Sequence, residues 1–140
     1  MLNLKKILVA YDTSEPAQRA FEAGVDLAQK YEADLIVLSV ARPPEPPGMV
    51  ETEAVLENAQ EYYEQRFIKL REMTDAAGVK ARFEVRVGHP AEQIIHMAHE
   101  EGVNVIVMGH RGHSFIKRWL LGSISKRVIS YAHCSVVIVR

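Results

Sequence analysis

The fold is decided by the stretch ILVAYDTSEP at residues 7–16, where an apolar run turns into a helix start. Ile7 to Ala10 contain no polar residue, which is typical of a strand covered on both faces. Ser14 is a suitable N-cap, and Pro16 fits the first turn of a helix. The apolar residues that follow have the spacing of one buried helix face. They are Ala17, Ala20, Phe21, Gly24, Val25, Ala28 and Tyr31. The stretch therefore predicts a buried strand followed directly by an amphipathic helix.

The alternation of strand and helix continues to the end of the chain. Further apolar runs predict buried strands at residues 35–40, 103–108 and 136–139. Helical spacing predicts a long helix from Leu56 to Gly78, a third from Pro90 to near Gly102 and a fourth from Ser123 to Tyr131. Strands that alternate with helices form parallel sheets through right-handed crossovers. The expected fold is α/β, a Rossmann-like open parallel sheet with helices on both faces.

Two strands carry signals of sheet edges. Residues 81–87 alternate apolar and charged side chains, and charges on an edge strand discourage pairing with another chain. The last strand, Ser135 to Val139, has no such charges although it should form the other edge. We therefore expect a homodimer through the C-terminal strand Ser135 to Val139.

Length and charge exclude several classes of protein. A chain of 140 residues predicts one domain, here residues 1–140, and the net charge of −1 gives no reason to expect nucleic acid or an anionic membrane as a partner. The charge is unevenly distributed, because all 18 acidic residues lie at or before Glu101. Residues 102–140 therefore carry six Lys and Arg and no carboxylate side chain.

The compartment follows from cysteine use and the N-terminus. Cys134 is the single cysteine, so a disulfide scaffold is excluded and a reducing compartment fits best. The apolar run after Lys6 ends before Asp12, which is too short for a signal peptide or a membrane span. A cytoplasmic location is expected.

A glycine motif marks the candidate site. Gly109-His110-Arg111-Gly112 follows a buried strand, and Gly122-Ser123 begins a helix nine residues later. Glycine lets a backbone approach a phosphate closely, and N–H groups at a helix start bind anions, with Ser123 as cap and hydroxyl donor. Neither a Gly-Lys-Ser/Thr ending nor Gly-x-Gly-x-x-Gly is present. Turn and cap chemistry alone is the alternative interpretation, and the spacing by itself does not choose between the two.

Two segments resemble the universal stress protein family. Residues 7–16 look like the opening of that family, and MGHRGHS at 108–114 with LLGSIS at 120–125 is similar to its Gly-x2-Gly-x9-Gly-Ser/Thr motif at full spacing. The resemblance covers the chain from the first strand to the last. It implies the ATP-binding branch of the family, with the adenine nucleotide alpha hydrolase-like fold of five parallel strands. It also implies a dimer through the last strand.

The resemblance implies a set of cofactor-binding residues for ATP. Those expected around the phosphates and ribose are Met108, Gly109, His110, Arg111, Gly112, Gly122, Ser123 and Ile124. Those expected nearer the nucleoside are Ala10, Asp12, Thr13 and Val40, with Val40 offering backbone groups to the base.

Several roles stay open at this stage. Asp12 could accept a ribose hydroxyl, lie near a phosphate-bound Mg²⁺, or only satisfy a helix start. His96 and His99, like His110 and His113, are three residues apart, but no third ligand supports a metal site, so we expect none. The Pro-rich connector at residues 42–48 could cover the base or only space the long helix.

Three functions remain as hypotheses. The leading one is a nucleotide-binding dimeric module that acts in the stress response. An alternative is a slow ATP hydrolase or phosphotransfer protein that uses the same pocket, for which Arg111 could supply charge but no carboxylate base follows Glu101. The third is a dimerisation scaffold with an empty pocket. The sequence does not indicate a protein partner.

Overall fold

A computed structural model describes residues 3–43, 49–113 and 120–140, with only the backbone for residues 49–52. It contains five strands, β1 (Lys6–Ala10), β2 (Asp34–Ala41), β3 (Ala81–Val87), β4 (Val105–Gly109) and β5 (Ser135–Val139). Four helices alternate with them, α1 (Glu15–Tyr31), α2 (Met49–Ala76), α3 (Pro90–Glu100) and α4 (Ser123–Tyr131). Most of the Pro-rich connector, residues 44–48, lies outside the described residues.

The five strands form one parallel sheet in the order β3-β2-β1-β4-β5. The helices α1 and α2 cover one face over a core that includes Phe21, Val37 and Phe67. The helices α3 and α4 cover the other face over Met97 and Ile106. The predicted α/β class, the parallel sheet and the helices on both faces are confirmed.

Local signals set most element boundaries as predicted. The hydroxyl of Ser14 accepts a hydrogen bond from the N–H of Ala17, so it caps α1. The long helix ends two residues before Gly78, which has a φ of 69°. Two expectations were wrong. The helix α2 begins at Met49, seven residues before Leu56. Ser123 is not the cap of α4 but its first residue, because Gly122 has the extended cap conformation and no side chain caps this helix.

The two edges of the sheet differ as the sequence indicates. On β3, Arg82 lies 2.7 Å from a carboxylate oxygen of Glu101, and Arg86 pairs with Glu100 at 3.6 Å. Arg82 also holds the pKa of Glu101 below its usual range by its hydrogen bond. The strand β5 forms the opposite edge, and Val137 on it is 38% exposed.

No helix in the described parts of the chain combines the length and the apolar character needed to cross a membrane.

Gly109 is the last residue of β4 and lies against the first turn of α1. A Cβ placed on it would lie 2.6 Å from the Cβ of Pro16 and 2.9 Å from the Pro16 carbonyl carbon. No real side chain tolerates such contacts, and the backbone of α1 cannot rotate away. The absence of a side chain at Gly109 therefore lets the first turn of α1 rest on the end of β4.

We expect Gly109→Ala to lower the free energy of unfolding by about 1–3 kcal/mol, the usual cost of an overpacked core. Urea denaturation should show a lower midpoint at an unchanged slope. Gly102→Ala is the control, because a Cβ there meets nothing within 4 Å and only its φ of 63° is unfavourable. Equal stability of Gly109→Ala and the parent protein would contradict the packing role.

Candidate nucleotide site

A crevice opens at the carboxyl ends of the strands, where β1 and β4 separate. The chain leaves β1 into α1 on one face and leaves β4 towards α4 on the other, so neither strand covers the gap. Open parallel sheets bind ligands at this kind of switch point. The cavity has a volume of about 460 Å³, within the usual range for small-molecule sites.

Ten of the twelve sequence-predicted site residues line this cavity. They are Ala10, Asp12, Val40, Met108, Gly109, Arg111, Gly112, Gly122, Ser123 and Ile124. Thr13 and His110 do not line it. Thr13 lies beside it, with its Oγ1 3.0 Å from Nε2 of His113. The His110 ring is buried, and neither of its nitrogens has a hydrogen-bond partner among the described residues.

Other residues of the wall were not predicted from the sequence. The long helix α2 contributes Tyr63, and α3 contributes Pro90 and Ile94. Arg42, the residue directly after β2, also lines the wall. Tyr63 falls within the segment from Leu56 to Gly78, for which the sequence predicted only a long helix. No local signal shows that one residue of such a helix extends past the sheet to its carboxyl edge.

One end of the cavity presents apolar side chains and an open backbone edge. In β2, Leu38 bonds towards β1, since its carbonyl accepts from the Tyr11 N–H at 2.9 Å. Ala41 bonds towards β3, since its carbonyl accepts from the Gly88 N–H at 2.9 Å. Bonding sides alternate along a parallel strand, so Val40 faces β1, whose pairing with β2 ends at Ala10.

The Val40 backbone therefore has no strand to pair with. The Tyr11 carbonyl that could reach it accepts the Ser39 hydroxyl instead, at 2.6 Å. Among the described residues, no backbone group bonds the N–H or the C=O of Val40 on this side. The result is a donor and an acceptor side by side against the apolar side chains of Leu38 and Ile94. Such an edge suits a planar heterocycle that carries both an acceptor and a donor.

Asp12 occupies the middle of the crevice. Its Oδ1 accepts hydrogen bonds from the N–H and the hydroxyl of Ser14, so the role in starting α1 is real. Its Oδ2 faces Gly112, where any added Cβ would collide with it. One carboxylate oxygen therefore stabilises the turn before α1, and the other faces the crevice.

The turn after Asp12 is strained and is held by the glycine loop. Thr13 has a φ of 70°, which is unfavourable for a β-branched residue. The Nε2 of His113 lies 2.7 Å from the carbonyl oxygen of Asp12. Because a carbonyl oxygen only accepts, this nitrogen carries the proton and donates. His113 thus ties the loop after β4 to the turn after β1.

The other end of the crevice is the start of α4. The Gly122 N–H donates to the His110 carbonyl at 2.7 Å, and the Ser125 hydroxyl donates to the Gly109 carbonyl at 2.9 Å. These bonds fix the helix start against the end of β4. Because no side chain in the described residues caps α4, the N–H groups of its first turn are available to an anion.

Arg111 lies in this same end of the crevice. Its Nε is buried and has no hydrogen-bond partner, and it forms no ion pair with any described residue. An added Cβ at Gly122 would lie 3.2 Å from the Arg111 Cα, so the glycine allows the two segments to approach. The arrangement is an unneutralised cation beside an uncapped helix start, which favours a bound anion.

A sequence model of the universal stress protein family matches residues 3–140. The chain belongs to the universal stress protein family. Universal stress protein MJ0531 of Methanocaldococcus jannaschii is 31% identical, over 97% of this chain and 82% of its own length. The universal stress protein YxiE of Bacillus subtilis is 34% identical, over 96% of this chain and 98% of its own.

Solved structures of universal stress proteins share the fold. The protein UspA from Lactobacillus plantarum matches with a TM-score of 0.86 at 25% identity, over 99% of both chains. A universal stress protein in complex with cAMP matches at 0.75 and 23% identity, over 99% of this chain and 98% of that one. The Archaeoglobus fulgidus protein in complex with dAMP matches at 0.65 and 18% identity, over the full length of both. The last two likenesses show the fold alone.

Proposed function

We propose that this universal stress protein is a nucleotide-binding module of the stress response that holds ATP in the crevice between β1 and β4. The observation that carries the proposal is Arg111, a cation with a buried, unpartnered Nε beside the free N–H groups of α4. A buried donor without a partner is costly, and a phosphate would satisfy it together with the helix start. The phosphates would lie at this end, within reach of Gly112 and Ser123.

The opposite end suits an adenine base. The apolar wall can cover its faces, while the N–H and C=O of Val40 can bond its N1 acceptor and its 6-amino donor. The same fold holds cAMP in one solved structure and dAMP in another, which supports an adenine nucleotide as the class of ligand. A Mg²⁺ ion would enter bound to the phosphates.

Binding without rapid hydrolysis fits the site better than catalysis. Hydrolysis needs a group that positions or deprotonates water. His113 already donates from Nε2 to the Asp12 carbonyl, so this nitrogen cannot accept a proton. Asp12 is the one carboxylate among the described wall residues. Its Oδ1 is engaged by Ser14, and its Oδ2 faces the middle of the crevice rather than the Arg111 end, where the phosphates would lie. We therefore favour a binding module, with slow hydrolysis or phosphotransfer as the alternative.

The strand β5 offers a second copy an open edge. Val139 bonds towards β4, because its carbonyl accepts from the His110 N–H at 2.8 Å. By alternation, Val137 also bonds towards β4, while Val136 and Ile138 direct their N–H and C=O groups outward. We infer that two copies pair through these outward groups, with Val137 adding exposed apolar surface.

We expect Arg111→Ala to weaken ATP binding about tenfold to a hundredfold, the cost of one charge-assisted bond. Adenosine has no phosphate, so its affinity should be unchanged. Isothermal titration with both ligands is the measurement. Arg127→Ala is the matched control, because Arg127 lies on α4 but is exposed and pairs with Glu92 at 3.3 Å. If the two variants bind ATP equally well, Arg111 does not hold the phosphates.

Purified protein should release phosphate from ATP many orders of magnitude more slowly than the roughly 1–10³ per second of ordinary enzymes. The reason is that Asp12, the one carboxylate of the described wall, lies in the middle of the crevice and not at the Arg111 end, where the phosphates would lie. A continuous phosphate assay with saturating Mg²⁺ and ATP measures the rate. Fast release that disappears in Arg111→Ala would establish the hydrolase alternative instead.

Ile138→Pro should give folded monomers, because it removes an outward donor that the sheet itself does not use. Val137→Pro removes an inward donor and should instead lower the stability of the fold. Sedimentation equilibrium of both variants, with circular dichroism to check folding, separates the two effects. A parent protein that is monomeric at high concentration would refute the dimer.

A further inference from the structure

Tyr63 reaches the crevice from α2, the helix that covers the core formed with α1. Its ring stacks on Phe67 at a centroid distance of 5.9 Å and an angle of 24°, and Phe67 is fully buried. The Tyr62 ring meets it edge-on at 5.0 Å. These two contacts fix the Tyr63 ring, so its hydroxyl is a preorganised part of the wall.

The hydroxyl of Tyr63 is available as a hydrogen-bond donor. No residue that the structure describes hydrogen-bonds it, although the ring lines the cavity. Burial first, and then the nearby charge of Asp12, raise the pKa of Tyr63 to about 12. The phenol therefore stays protonated through the physiological range and can donate throughout it.

Asp12 supplies the complementary acceptor. Its Oδ1 is used by Ser14, but its Oδ2 has no hydrogen bond from any described residue. Tyr63 lies close enough for the Asp12 charge to act on its pKa. Both residues line the same cavity, so it offers a phenol donor and a carboxylate acceptor to one ligand.

The middle of the cavity is where a nucleotide would carry its sugar. The base would lie against Val40 at one end and the phosphates against Arg111 and α4 at the other. A ribose hydroxyl both donates and accepts, so one sugar hydroxyl can donate to the Asp12 carboxylate while it or its neighbour accepts from Tyr63. A 2′- or 3′-deoxyribose lacks one of these partners.

We infer that Tyr63 is a specificity-determining residue that reads the ribose hydroxyls of the bound nucleotide together with Asp12. This inference rests on the proposed function, since it assumes that a nucleotide spans the crevice. It goes beyond the glycine motif, because the residue comes from the middle of α2 and approaches from the other face of the sheet.

Tyr63→Phe tests the inference, because it keeps the stacked ring and removes only the hydroxyl. Tyr62→Phe is the matched control, since Tyr62 is the adjacent tyrosine, is 44% exposed and does not line the cavity. The ligands are ATP, 2′-deoxy-ATP and 3′-deoxy-ATP, titrated calorimetrically against the full chain. Thermal unfolding checks that each variant is folded.

The parent protein should bind ATP about 2- to 10-fold more tightly than at least one deoxy analogue, the range expected for one neutral hydrogen bond. In Tyr63→Phe the affinity for ATP should fall by a similar factor, and the preference over that analogue should shrink because the two losses share one bond. Tyr62→Phe should keep both the affinity and the preference.

The experiment distinguishes failure of this inference from failure of the proposed function. If the parent protein binds ATP but Tyr63→Phe keeps its affinity and its full preference for ribose, this inference is wrong and the proposed function stands. If Tyr63→Phe lowers the affinities for ATP and for both deoxy analogues by the same factor, Tyr63 only shapes the wall, and the inference is again wrong. If the parent protein binds none of them, the proposed function fails and takes the inference with it.

Discussion

The divergence of the chain beyond the ends of β1 and β4 is the constraint on which the rest of the structure depends. Two neighbouring parallel strands lead into helices on opposite faces, so neither strand can cover the end of the other. Backbone groups that would continue the sheet, above all those of Val40, are left facing a gap. The starts of α1 and α4 converge on the same gap. Asp12 and Ser14 satisfy the start of α1, whereas no described side chain caps α4. The cavity is thus a direct result of topology.

The fold could be predicted from the sequence because each element has a strong local signal. Buried strands are apolar runs, and Ser14, Pro90 and Gly78 mark helix boundaries through local backbone chemistry. The site could be predicted only where it lies on such boundaries. Gly122 and Ser123 are adjacent, so the pattern could not decide which one takes the extended cap conformation. The place of Tyr63 in the site could not be predicted, because it depends on how α2 crosses the sheet.

The structure also divides roles that the glycine motif suggested were shared. Gly109 allows a helix to touch a strand, Gly112 makes room for the Asp12 carboxylate, and Gly122 permits the approach of Arg111. None of the three has a positive φ. Glycine is needed at these positions because a side chain would not fit, and not because the backbone angle demands it. The pattern of glycines in a sequence cannot distinguish these two reasons. The positive charge of residues 102–140 is divided as well, since Arg111 faces the crevice while Arg127 pairs with Glu92 on the surface.

The unequal edges of the sheet set a limit on assembly. The edge at β3 carries charges that are tied to α3 by ion pairs, whereas β5 presents outward donors and acceptors. A sheet with two open edges could add copies at both ends and grow into a fibre. With one edge blocked, two copies that paired through β5 would form an isologous contact and use up the open edge, so the symmetry would close at a twofold axis. In such a dimer, the charges on β3 would prevent the addition of further copies.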